Sequence, residues 1–162
     1  VMLQVPEDRV NIAMGWAEDV PFAPLEQHHP GQIGAPAPPF EAAMPLKFIN
    51  PWRIKVPAGY SVLLTQPFNR PDLPFTCFSG FVDCDRFATT INMPFLWTGP
   101  VGQYVLPAGT PIAQIVPIRR DAMLKDHASR PASEAELAEE AAARERKFGE
   151  ESTYARDWRV RK

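Results

Sequence analysis

The sequence predicts a mainly β fold: an antiparallel barrel or sandwich over residues 46–120, preceded by an extended arm (1–45) and followed by a linker, one α-helix and a basic tail (121–162). Three observations predict it. From Leu46 onward apolar and polar residues alternate with a period of two, as strands with one buried face require. Gly/Pro turns recur at short intervals, at Pro57-Ala58-Gly59-Tyr60, Thr98-Gly99-Pro100 and Pro107-Ala108-Gly109-Thr110. Proline, 19 residues in all, punctuates the chain as far as Pro131 and then vanishes, and a helical period begins.

Residues 1–45 read as an extended arm. Pro21-Phe22-Ala23-Pro24 and Gly34-Ala35-Pro36-Ala37-Pro38-Pro39-Phe40 have polyproline character and no helix or strand period. Trp16, Phe22 and Phe40 stand among them as isolated aromatics. They fit either a surface strap or an arm that docks on a neighbouring subunit.

The β body follows. Leu46-Lys47-Phe48 and Trp52-Arg53-Ile54-Lys55-Val56 alternate as strands do, and Ser61 to Thr65 is a short apolar strand. Phe68 to Pro74 is a loop, because two prolines so close defeat a ladder. Thr76 to Asp83 is strand-like around Gly80, a bulge or close approach. Thr89 to Phe95, Gln103 to Leu106 and Ile112 to Ile118 complete the set. Short strands at this spacing imply a barrel or sandwich.

Beyond Pro131, Ser133 and Glu136 form a capping box and predict a helix over about 134–148, with Gly149 as its C-cap. Leu137, Ala141, Arg144 and Phe148 give it only a thin apolar stripe. Tyr154 and Trp158 lie one turn apart in the tail, where they either pin it to the domain or meet a partner.

Composition excludes several classes. At 162 residues the chain is long enough to bury a core without a metal or disulfide staple. A net charge of −2 argues against general affinity for nucleic acid. There is no apolar run of the roughly 18 residues that a membrane span needs. The opening segment lacks the basic and apolar stretches of a signal peptide, and Cys77 and Cys84 fit free thiols in a reducing compartment, or a pair facing each other across a tight hairpin. The expected location is therefore the cytoplasm or a virion, without secretion. Glu26-Gln27-His28-His29 is a poor metal site, since adjacent histidines in an extended segment point to opposite sides. No metal or cofactor is expected.

From Val56 to Arg120 the order of motifs resembles the deoxyuridine triphosphatase superfamily, the β-clip fold. The Pro57 to Tyr60 turn, the Gly80-Phe81-Val82-Asp83-Cys84-Asp85 hairpin and the Pro107 to Val116 strand entry with Ile112-Ala113-Gln114 carry the likeness. The resemblance implies that Asp83 positions an attacking water, that Phe87 offers an aromatic face and that Gln114 lies near phosphates. Read from the residues alone, Asp83 and Asp85 equally suit hairpin capping. Ala88 stands where that family has a Gly, and three further elements are missing. Gln66-Pro67-Phe68-Asn69-Arg70 stands where a Ser-Gly phosphate motif belongs, the N-terminal Asp-Leu metal motif has no counterpart, and a charged helix replaces the Gly-rich closing arm. The runs Asn69 to Phe75 and Ile91 to Phe95 also resemble an uncharacterised protein family of phages and some bacteria, which implies a phage context.

Two functions compete on this basis. One is a non-enzymatic assembly protein, such as a capsid-associated virion component, whose partners are other proteins or copies of itself, a trimer among the arrangements open. Trp16, Phe22, Phe40, Tyr154 and Trp158 are its expected contact residues. The other is a nucleotide-binding or nucleotide-hydrolysing protein, with Asp83, Asp85, Phe87 and Gln114 as the ligand site and Asp83 and Gln114 as its catalytic residues.

Overall fold

Among the described residues strand pairing is antiparallel and builds three sheets. The computed structural model describes residues 1–33 and 43–148, and the chain divides into two units, Val1–Met123 and Leu124–Lys162. The first holds the strands β1 (Met2–Val5), β2 (Ala13–Gly15), β3 (Leu25–Gln27), β4 (Leu46–Phe48), β5 (Tyr60–Thr65), β6 (Phe75–Cys77), β7 (Gly80–Val82), β8 (Met93–Trp97), β9 (Gly102–Val105) and β10 (Gln114–Arg119). The sheet orders are β2-β1-β9, β10-β5-β7 and β3-β4-β8-β6. The predicted mainly β class with a C-terminal helix is what the structure has.

The N-terminal segment differs from its prediction. Residues 1–33 are not an arm beside the body. β1 pairs with β9 and β3 with β4, and Leu3, Val5, Ile12 and Leu25 belong to the hydrophobic core. Burial alternates along β1, so the period of two was present there, but four residues are too short a window to register against the prolines around them. Leu106 N–H also donates to the Val1 carbonyl at 2.8 Å.

The largest sheet supplies the centre of the core. Phe48 and Phe95 stack with ring centroids 4.1 Å apart, and Phe75 meets Phe48 edge-on at 5.0 Å. Trp97 on β8 meets Tyr104 on β9 at 5.0 Å, which joins this cluster to the sheet that contains β1. Such aromatic pairs add roughly 0.5–1.5 kcal/mol each beyond the area they bury.

Two further predictions shift. Trp52 to Val56 forms no strand, although Ile54 and Val56 still pack against the core; Trp52 is 76 % exposed and its N–H bonds the side chain of Asn50 in a local turn. Thr76 to Asp83 is not one strand but two. Phe78 N–H still donates to the Pro94 carbonyl, continuing β6 along β8, and from Gly80 the chain pairs with β5 in a different sheet. Gln66 ties these sheets together. Its side-chain amide donates to the Phe75 carbonyl at 3.2 Å and accepts from Cys77 N–H at 2.7 Å, mimicking a neighbouring strand along β6.

In the β10-β5-β7 sheet, Arg120 N–H donates to the Gly59 carbonyl at 2.9 Å and extends the β10–β5 ladder by one rung. Backbone groups alternate in direction along an antiparallel strand, so the even residues of β10 face β5 and Ile115, Pro117 and Arg119 face outward. Among the described residues β10 pairs with no strand on that outer side. Pro117 thus puts its missing donor at the open edge, where proline is tolerated.

In the second unit, α1 (Glu134–Phe148) matches the predicted helix. The capping box is formed: Ser133 N–H donates to Glu136 at 2.7 Å, and Glu136 N–H donates to the Ser133 hydroxyl at 3.3 Å. Arg130 adds two bonds to the Glu136 carboxylate, and the helix is acidic in its first turn and basic in its last, in line with its dipole. The thin stripe of Leu137, Ala141 and Arg144 is exposed. Gly149 lies outside the described residues.

Candidate functional site

The candidate site is built where β5, β7 and β10 end together. Gly59, with φ +85°, turns the chain into β5, and Tyr60 N–H closes that turn on the Pro57 carbonyl. Only a residue without Cβ adopts this φ readily. After β7 the chain bends sharply, the Asp83 carbonyl accepting from the N–H groups of Arg86 and Phe87. The Asp83 and Asp85 carboxylates are thereby brought beside the N-terminal end of β5 and the C-terminal end of β10.

Arg120 organises the cluster. Its guanidinium meets the Asp85 carboxylate through both terminal nitrogens. It also donates to the Tyr60 carbonyl at 2.7 Å, to the Ser61 hydroxyl at 3.2 Å and to Asp83 Oδ1 at 3.3 Å. Ser61 donates its hydroxyl to Asp83 Oδ1, and Gly59 N–H donates to Asp85 Oδ2 at 2.9 Å. The Asp85 side chain is 7 % exposed and that of Asp83 is 55 % exposed. The Arg120 guanidinium first, and then Gly59 N–H, hold the Asp85 carboxyl well below the usual carboxylate range. Asp85 therefore stays ionised and cannot exchange protons near neutral pH. Cys84, buried between the two aspartates, has its thiol pushed up by burial and by both carboxylates, the opposite of an activated nucleophile.

The predicted site residues fall into separate places. Asp83 and Asp85 share the cluster, and Phe87 follows, partly exposed, with its N–H on the Asp83 carbonyl. Gln114 lies at the other end of the sheet. It pairs with Thr65, whereas Asp83 is bonded to Ser61, whose β10 partner is Ile118. Four residues of strand separate Gln114 from Ile118, about 14 Å. The sequence pattern does not single out Arg120. Arg119 does pair with its exposed neighbour Asp121, but Arg120, one residue on and opposite in direction, turns back over the sheet. That strand parity, shared with Ser61 across the ladder, is the signal that was available.

Of the expected contact residues, Trp16 and Phe22 are both exposed and lie between β2 and β3; Phe40, Tyr154 and Trp158 lie outside the described residues. Among the described residues no cluster of three or more His, Cys, Asp or Glu side chains forms a metal site. His28 is held below its usual pKa, by burial first and then by Lys47 and His29, while His29 Nδ1 accepts from Gly31 N–H. No helix among the described residues is long and apolar enough to cross a membrane.

Comparison of the chain with protein families, with curated proteins and with solved structures returns no match. Fold and site therefore define a class by themselves: a mainly β protein of three antiparallel sheets, with an internally paired Asp-Asp-Arg cluster at the end of one of them.

Proposed function

We propose that this chain is a non-enzymatic assembly protein that associates with copies of itself through the outer face of the β10-β5-β7 sheet. One observation carries the reading. Phe81, Leu63 and Val116 stand opposite one another in register across the three strands and form an apolar row on the face that also bears Ser61 and Ile118. Phe81 is 54 % exposed, and Leu63 and Val116 are only half-buried. An apolar row that reaches solvent at Phe81 supports an interaction surface. The polar groups at the end of this face support the same role, since Arg120 uses the carboxylates to fasten three strands.

The nucleotide-handling alternative draws less support, since Asp83 and Gln114 lie toward opposite ends of the sheet and share no contact. The β-clip-like body and the virion setting implied by the sequence resemblance remain part of the proposal. Sedimentation velocity tests it: the protein should form a discrete oligomer that Phe81→Glu dissociates while the far-ultraviolet circular dichroism is unchanged. A monomer at every concentration, or an oligomer indifferent to Phe81→Glu and Val116→Glu, overturns it.

A further inference from the structure

On the opposite face of the same sheet lies a pocket of about 240 Å³, open to solvent on one side, between β5, β7 and the start of β8. Leu64, Val82, Ile91 and Met93 give it apolar walls; Gln32, Ser79 and Asn92 add polar groups, and no ionisable side chain lines it. Gly80 forms part of its floor and stands opposite Leu64 in the ladder, so a side chain at position 80 would point to the same face.

Two usual reasons for a glycine are lacking at this position. Its φ is not in the left-handed region, and a Cβ added there would meet nothing within 4 Å. Glycine in a strand costs stability through entropy and lost packing. What Gly80 provides is the space itself. At the rim, Asn92 completes the chemistry. Its Oδ1 accepts from the Asn50 backbone N–H at 3.2 Å, and because that partner is a donor, the amide's orientation is fixed. The Asn92 NH₂ group, without a partner among the described residues, is the half left for a ligand.

We propose that the space over Gly80 is a binding site for a small, uncharged, mostly apolar molecule with one hydrogen-bond acceptor. Its size matches a single substituted ring: an apolar cavity of about 150 Å³ holds benzene, and this one is larger by a few heavy atoms. The walls would cover one side of the ring, and Asn92 would donate to the acceptor. The absence of charge in the lining disfavours an ionised ligand, which would lose its hydration without a counter-charge.

Acetophenone, which has a ring and a carbonyl acceptor, is the probe, with ethylbenzene and benzoate as controls. Nuclear magnetic resonance titration of the intact chain should shift the methyl signals of Leu64, Ile91 and Met93 saturably with acetophenone. Ethylbenzene should bind about tenfold more weakly, the loss of one hydrogen bond, and benzoate should not bind. Gly80→Val takes up part of the space and should weaken the shifts markedly while keeping or raising the melting temperature; Gly80→Ala should weaken them less. Asn92→Asp keeps the acceptor for Asn50 and removes the donor, and should reduce acetophenone to the affinity of ethylbenzene or below. The proposal is overturned if acetophenone does not saturate these shifts, if it binds Gly80→Val as it binds the native chain, or if ethylbenzene matches it.

Discussion

The Arg120 guanidinium and the Asp85 carboxylate meet through paired bonds, although 35 residues separate them in the chain. Arg120 follows β10 and Asp85 follows β7, the two outer strands of one sheet, so the pair closes that sheet across its central strand. Asp85→Asn should lower the melting temperature by several degrees, because it leaves a largely covered guanidinium short of its counter-charge. Asp83→Asn should cost less, since its remaining oxygen still accepts from Ser61. Differential scanning calorimetry ranks the two.

The same pair sets an acid limit. The folded pKa of Asp85 lies below its unfolded value of about 4. Its contribution is fully present above that unfolded value and is lost as pH falls through the folded one. Thermal stability of the native chain, relative to Asp85→Asn, should therefore be constant from neutral pH to about pH 4, and the difference should shrink below it. A difference that vanishes near neutral pH would contradict the assignment.

Gln66 acts as a side-chain strand, and its removal exposes two backbone groups of β6 at once. Gln66→Ala should destabilise by about 1–3 kcal/mol. Gln66→Glu keeps the acceptor for Cys77 N–H but sets a carboxylate against the Phe75 carbonyl, so it should not restore stability. Urea denaturation of both variants measures this.

The N-terminal strand is a core element. Leu3 is fully buried, and Leu3→Ala should cost about 2–5 kcal/mol. Deleting residues 1–12 removes Leu3, Val5 and Ile12 together and should abolish the cooperative transition in calorimetry. A truncated chain that melts as the native one does would return the segment to the status of an arm.

Both cysteines should be silent in the native state. Burial pushes the Cys77 thiol up to about 12, and it donates to the Ile112 carbonyl at 3.2 Å; Cys84 is raised too. A chromogenic disulfide reagent at mildly alkaline pH should titrate neither until denaturant is added, and then both.

Much of this fold was legible in the sequence, and the omissions have physical causes. The turns at Gly59 and Gly109 were readable because a positive φ selects glycine, and the helix because its capping box is local. β1 to β3 were missed because strands of three or four residues draw their stability from distant partners that no local pattern names. The Asp83–Asp85 hairpin was visible as an acidic turn. Its meaning rested on Arg120, at a sequence separation where only the strand register makes the two neighbours.

Pro117 limits how such a molecule can multiply. An exposed sheet edge with all its donors is a template onto which further strands add without end. β10 has lost the middle donor of its open side, so growth along the hydrogen-bonding direction is interrupted at its centre. Copies that meet instead by matching faces satisfy one another and leave no surface for the next. If copies associate as proposed, through matching faces, Pro117 would favour a closed particle over growth along this edge.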